Sequence, residues 1–211
     1  QMAMVYSLVK LAESRDDNTG AHIERVAKIC QTIARRLRDL KKYQDYIDED
    51  YINKIGQLSP LHDIGKVGIP DYILRKPGRL SAEEYELMKT HTTIGAKTLM
   101  EVKEKFPDHR FLDLAICITK FHHEKWNGTG YPLGLAGTAI PLSARIMAIA
   151  DVYDALRSKR VYKEAVSHEE SLRIIREGSC SFFDPEVVEA FMESENEIRT
   201  LFDQYGVEER A

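Results

Sequence analysis

Five of the chain's seven histidines fall where helical periodicity turns them inward: His22, His62, His91, His122 and His123. Two of them are adjacent, and His62 is followed directly by Asp63. A lone histidine on an apolar face is usually a core residue whose ring nitrogens are satisfied by neighbours. Five are harder to bury on those terms, because an unpartnered polar ring costs free energy. A metal ion removes the difficulty, since it binds neutral imidazole and carboxylate directly. Asp151 supplies a second carboxylate on the inward face of its own segment. Adjacent helical residues diverge by about 100°, so His62 and Asp63 can reach a metal cluster from two directions. The two oxygens of Asp63 allow it to bridge two ions. Two ions about 3.5–4 Å apart can share a hydroxide and clamp a phosphate for in-line attack. Imidazole and carboxylate donors favour iron, manganese or nickel over a structural zinc, which usually takes thiolates. The donor types leave the choice among those metals open.

The elements that must position these groups are helical. Val5, Leu8, Val9 and Ala12 repeat at helical spacing, as do His22, Val26, Ile29, Ile33 and Leu37. Tyr51, Ile55, Leu58 and His62 form a third stripe. Ser81 to Glu84 reads as a capping box that starts a helix carrying Tyr85, Met88 and His91 on one face. Leu112, Ala115, Thr119 and His122 mark another. From Asn127 to Pro141 four glycines and two prolines predict a loop with demanding backbone angles. In it, Gly128 and Gly130 supply conformational freedom and Pro132 stiffens the exit, so that Tyr131 can be held over a purine or a phosphate. Helical spacing resumes at Ala144, Met147, Ala148, Asp151 and Ala155. Ser167 to Glu170 is a second capping box, and Asp184-Pro185 an N-cap with proline at the first helical position. The fold class expected is all-α, a single-domain helical bundle over residues 13–211, with residues 1–12 a connector helix.

The composition fits a globular chain of 211 residues, 43% apolar and 30% charged. A formal net charge of −4 argues against a general nucleic-acid binder, which needs a basic surface. It leaves room for a small phosphate ligand. Cys30, Cys117 and Cys180 are far apart and form no C-x-x-C pair, which suits buried thiols in a reducing, cytoplasmic compartment. No apolar run reaches 18 residues, and no secretory signal pattern opens the sequence. Neither a membrane nor a nucleic-acid polymer is therefore an expected partner.

Two segments carry a specific resemblance. Leu61-His62-Asp63-Ile64-Gly65-Lys66 resembles the signature of the HD metal-dependent phosphohydrolases. His122-His123-Glu124-Lys125-Trp126-Asn127-Gly128-Thr129-Gly130-Tyr131-Pro132 resembles the HHE-x-x-(D/N)-G-x-G-Y-P element of the HD-GYP branch. Thr19-Gly20-Ala21-His22, Gly68-Ile69-Pro70, His91 and Asp151 to Leu156 match in order and spacing. The likeness runs from about Arg15 to Pro185.

The resemblance implies an HD-type helical bundle that hydrolyses cyclic di-GMP to pGpG and, in some members, to GMP. It implies that His22, His62, Asp63 and Asp151 hold one metal ion, and that Asp63, His91, His122 and His123 hold the other. It places Lys66 near the scissile phosphate, as a stabiliser of developing charge. Asp16, Arg160 and Lys163 match positions that contact the cyclic dinucleotide, and Gly130, Tyr131 and Asp154 are expected to join them in binding substrate. Some relatives carry a glutamate four residues before the first histidine and bind a third ion. Here that residue is Asn18, a poor ligand for a hard cation, so two ions are expected. Ser59-Pro60 is similar to response-regulator members, which implies an upstream receiver or sensory domain; the amphipathic start from Met2 to Ala12 suits a connecting helix and a homodimer through it. Three other readings stay in play: a cyclic GMP-AMP phosphodiesterase, a catalytically weak binding module, and a nucleotidase acting on monomeric nucleotides.

Overall fold

In the computed structural model, residues 2–13, 15, 20–108, 111–158 and 164–206 are described. Asp16, Asn18, Arg160 and Lys163 lie outside the described residues. The described chain is helical and contains no strand. The helices are α1 (Met2–Glu13), α2 (Gly20–Arg38), α3 (Glu49–Leu58), α4 (Asp71–Leu74), α5 (Ala82–Lys89), α6 (His91–Lys105), α7 (Phe111–Phe121), α8 (Leu142–Arg157), α9 (His168–Glu177), α10 (Pro185–Glu193) and α11 (Glu195–Gly206). A 3-10 helix, Ser59–Gly68, follows α3 without a break, and a short 3-10 turn, Gly137–Ala139, sits in the glycine-rich loop.

The apolar stripe of α2 is fully buried at Val26, Ile29, Cys30, Ile33 and Leu37. It packs against α3, α8, α10 and α11. Its basic last turn, Arg35, Arg36 and Arg38, faces the negative end of the helix dipole. There Arg36 also pairs with Glu193 of α10 at 2.6 Å. Most positions of α8 are buried, including Ala144, Ile146, Met147, Ile149, Ala150 and Tyr153. These two central helices carry His22 and Asp151.

The remaining ligand candidates depend on a second contact, between the 3-10 helix, α6 and α7. Its closeness is set by glycine. A Cβ at Gly65 would fall 1.9 Å from the His91 carbonyl oxygen and 2.6 Å from the Gly95 nitrogen. A Cβ at Gly95 would fall 2.6 Å from the Thr119 methyl. The Thr119 hydroxyl donates to the Leu61 carbonyl at 3.0 Å and closes the third side. Two backbones, those of the 3-10 helix and α6, meet here with no room for a Cβ between them, and the Thr119 side chain of α7 closes over the contact.

Two expected helices are each interrupted. The stripe from Tyr51 to His62 was expected to run on as one helix, but α3 ends at Leu58. Pro60 has no N–H to offer the carbonyl four residues back, and the chain tightens into 3-10 geometry. Three residues per turn place i and i+3 directly above each other, which stacks Lys66 on Asp63. Likewise His91 does not continue the helix of the Ser81 capping box. That box forms in full, with Ser81 and Glu84 bonded reciprocally, but α5 stops at Lys89 and α6 begins at His91. Thr90, Thr92 and Thr93 lie at the junction, and the Thr90 hydroxyl bonds the Leu87 carbonyl at 2.6 Å, a local alternative to the helical ladder. At Ser167 half of the expected box forms. Its hydroxyl accepts from Glu170 N, while the Glu170 carboxylate is taken by Arg173.

Helix α1 lies along the 3-10 helix with Val9 buried, and the Tyr6 hydroxyl donates to Glu24 at 2.7 Å. Beyond it, the Arg15 guanidinium donates to the carbonyls of Val67 and Ile69 and pairs with Asp71 at 2.7 Å.

Because Gly65 leaves no room for a methyl group, Gly65→Ala is expected to destabilise the fold by about 3 kcal/mol or more. Chemical denaturation measures it. A midpoint equal to the wild type's would mean that the contact between the 3-10 helix and α6 yields without cost.

Candidate metal centre

The inward ends of α2, the 3-10 helix, α6, α7 and α8 converge on one cluster of side chains. Two donor groups form in it. Asp63, His91, His122 and His123 make one, and His22, His62 and Asp151 the other. Within each group one donor atom per residue lies within 4.8 Å of all the rest. The two groups share a border at Asp63. Its Oδ2 is 3.2 Å from His62 Nε2, on the side of the second group. Its Oδ1 is 3.3 Å from His91 Nε2 and 3.9 Å from His122 Nε2, within the first. His62 Nε2 is in turn 3.9 Å from Asp151 Oδ1. A carboxylate with one oxygen toward each group has the geometry of a bridge.

The ring orientations have a common cause. His62 Nδ1 is bonded to the Ser59 carbonyl at 2.9 Å, His91 Nδ1 to that of Met88 at 2.7 Å, and His122 Nδ1 to that of Thr119 at 3.1 Å. Each partner lies three residues upstream. A carbonyl can only accept, so Nδ1 carries the proton and Nε2 keeps its lone pair for the cluster. His22 reaches the same state differently, through a 2.6 Å contact of Nδ1 with Asp154 Oδ2. The Nε2 atoms of His22, His91 and His122 are buried with no hydrogen-bond partner. Four rings with Nε2 turned toward the cluster, two inward carboxylates and these orphaned nitrogens fit a metal site. A divalent ion supplies the partner that each lacks.

Electrostatics keeps the donors in their ligating forms. Burial, aided by the neighbouring imidazoles, holds His122 well below the usual histidine range. Burial pushes His123 down to about 4, against the pull of Asp151. His91 is also lowered by burial. For Asp63 burial works the other way, but Lys66 and the imidazoles of His62 and His91 outweigh it and hold the carboxyl well below its ordinary value. The Lys66 ammonium lies 2.7 Å from Asp63 Oδ2. His91, His122 and His123 are thus neutral and Asp63 ionised at neutral pH.

Asp154 is 1% exposed and needs a correction. It was expected to touch the cyclic dinucleotide. Instead its oxygens are taken by His22, by the buried Arg25 at 2.6 Å and by the Ser158 hydroxyl at 3.2 Å. It orients a ligand from behind. Arg25, which the sequence reading passed over, neutralises it, and the Phe202 ring of α11 covers the guanidinium at 4.8 Å. The available signal was a charge three residues from His22 on the inward face of α2.

Glu124 was also passed over as a functional group. Buried at the start of the loop, its carboxylate accepts from Leu133 N at 2.7 Å and Leu135 N at 3.0 Å. It folds the glycine-rich loop back beneath the histidine pair. Gly128 has the expected left-handed backbone, with φ of +79°. Gly130 is needed for another reason: a Cβ there would fall 2.3 Å from Lys125 N. With the loop so held, the Tyr131 ring stacks on His123 at 4.8 Å between centroids, and Tyr131 N donates to the His123 carbonyl. Tyr131 therefore forms part of the wall of the cluster.

Comparison with known proteins agrees with this arrangement. The family model described as HD domain matches residues 7–187. A probable cyclic di-GMP phosphodiesterase of Vibrio cholerae serotype O1 is 46% identical over 213 residues, spanning 100% of this chain and 48% of its own length. A cyclic di-GMP phosphodiesterase of the same organism is 51% identical over 188 residues, spanning 89% of this chain and 38% of its own. The chain thus spans about half, or less, of the length of these relatives. A solved structure of a cyclic GMP-AMP-specific phosphodiesterase of Vibrio cholerae superposes with a TM-score of 0.62 at 23% identity, covering 93% of this chain and 50% of that one, and shares the fold.

Removing the group behind a ligand should weaken metal binding without emptying the site. Asp154→Asn is expected to lower the affinity of the His22 group for Mn²⁺ by about 10–100-fold, and that of the Asp63 group far less. Metal titration followed by elemental analysis reads both, and an unchanged affinity would remove Asp154 from this role.

Proposed function

The chain belongs to the HD domain family, and on that premise we propose that it is a metal-dependent phosphodiesterase that opens cyclic di-GMP. The product is pGpG, with GMP the result of any second cut. The observation that carries the proposal is the placement of Asp63, one oxygen toward each of two donor groups. The names of the relatives in Vibrio cholerae supply the substrate.

In this reading His22, His62, Asp63 and Asp151 hold one ion, and Asp63, His91, His122 and His123 the other. Iron or manganese are the metals that suit the donors best, with nickel next. When bound, two such ions supply Lewis acidity toward a phosphodiester and a water of lowered pKa. The chain's own residues do the rest. The ammonium of Lys66, stacked on Asp63, neutralises charge that develops on the phosphoryl oxygens or on the leaving oxygen. Tyr131 and the loop pinned by Glu124 wall off one side and keep His123 in its orientation. Gly130 contributes through backbone that lies close to the histidine pair. Asp16, Arg160 and Lys163 complete the proposal as substrate contacts, Arg160 by bidentate binding of a phosphate.

The surroundings of the site belong to the same proposal. We place the protein in the cytoplasm, where its three free cysteines stay reduced. Residues 1–12 serve as connector to an upstream receiver or sensory domain and to a two-fold partner, and residues 13–211 form the enzyme. No helix among the described residues is long and apolar enough to cross a membrane.

Anaerobic turnover of cyclic di-GMP by metal-reconstituted protein, with products resolved by chromatography, tests the reading. Wild type should yield pGpG. Asp63→Ala should yield none and should bind fewer than the wild type's two ions. Lys66→Met should keep both ions and lose about 100-fold in kcat. Bound metal with no opening of cyclic di-GMP would reject the proposal and leave the cyclic GMP-AMP ring as the next substrate to try.

A further inference from the structure

A groove of about 420 Å³ adjoins the metal centre, within the range of about 300–1,000 Å³ usual for ligand pockets. His122, His123 and Asp151 line its inner end. Its floor follows one face of α8 through Ala148 and Val152 to Ile174 of α9 and Phe183. Its outer wall is Phe182, whose ring is 47% exposed. Lys125 lies over that ring, with Nζ 4.6 Å from its centre. Of the other carboxylates in the lining, Glu177 is engaged by Arg173 and Glu124 by the Leu133 and Leu135 amides.

The two walls are held in register by the backbone. Trp126 N donates to the Phe182 carbonyl at 3.1 Å, and Asn127 N donates to that of Ser181 at 2.9 Å. The turn that presents Phe182 is thereby fastened to the segment that begins with the ligand pair His122-His123. A part-exposed aromatic ring, an ammonium over it and an apolar floor continuous with a phosphate-clamping centre match one chemical class, a nucleotide whose base lies beside its phosphate.

We propose that this groove seats one guanine base of the substrate, stacked on Phe182, with Lys125 donating to the O6 and N7 edge of the base. The proposal rests on the cyclic dinucleotide reading of the metal centre and adds to it the residues that choose the purine. Guanine presents two acceptors on that edge, whereas adenine presents an amino donor beside N7. A fixed ammonium there favours guanine. The aromatic platform contributes affinity for either purine, since every base has a π face.

The test uses the full metal-loaded chain with four substrates: cyclic di-GMP, cyclic GMP-AMP, cyclic di-AMP and the purine-free diester bis(4-nitrophenyl) phosphate. Phe182→Ala should lower kcat/KM for cyclic di-GMP about tenfold relative to the purine-free diester, with the loss in KM. Phe182→Tyr, which keeps the platform, should stay near wild type. Lys125→Ala should narrow the preference for cyclic di-GMP over cyclic di-AMP by about tenfold. An equal fall on all four substrates would mean that the residues only support the fold, and unchanged ratios would mean that the base lies elsewhere; either overturns the proposal. A wild-type protein that cleaves the purine-free diester but no cyclic dinucleotide overturns the functional reading itself, before any variant is compared.

Discussion

The molecule is organised around the cost of taking polar rings out of water. Four of the five clustered imidazoles and the bridging carboxylate are buried where the two central helices and the 3-10 helix meet. Such groups are stable inside a protein only when each has a partner. The fold meets half of this requirement from its own backbone, by giving one nitrogen of each of three rings to a carbonyl one turn upstream. The other half it leaves to a metal. Burial that disfavours protonated rings also keeps them in the ligating form, and the lysine that holds Asp63 ionised lies on the open side of the cluster. The same desolvation therefore sets structure and chemistry together.

Packing delivers the rings to this point. Gly65 and Gly95 let the 3-10 helix and α6 touch backbone to backbone, with the Thr119 side chain of α7 packed against them, and the break at Pro60 brings 3-10 geometry to the segment carrying His62, Asp63 and Lys66. In an α-helix Asp63 and Lys66 would be offset about the axis. In the tighter helix they stand in line. Backbone geometry that is uncommon in long runs thus does a specific task here: it sets a cation over the bridging carboxylate.

Much of this was legible in the sequence. The inward histidines, the carboxylates at positions 63 and 151 and the two motif segments identify the donor set, and the structure groups the same seven residues. The all-α fold follows from periodicity, and the start of α5 from its capping box. The interruptions were not legible, because a stripe of apolar residues reads alike in an α-helix and in an α-helix continued by a 3-10 turn. Asp154 was expected to touch substrate on the resemblance alone, since it lies in the matched segment from Asp151 to Leu156. Only the distant Arg25 and His22, brought over by packing, turn it inward. Glu124 and Gly130 likewise act on backbone groups, which sequence spacing does not reveal.

The local anchoring of the rings has a consequence for how such a domain can change over generations. Where a ligand's second nitrogen is bonded to its own backbone, losing the side chain strands no distant charge. The carbonyls of Ser59, Met88 and Thr119 belong to helical turns that water or the next turn can satisfy. At His22 the group behind the ligand is Asp154, and Arg25 already balances it. His22, His62, His91 and His122 can therefore each drift singly while the bundle survives. A lineage built on this plan can shed catalysis in small steps, keep a folded domain throughout, and retain it as a surface on which new signalling contacts accumulate.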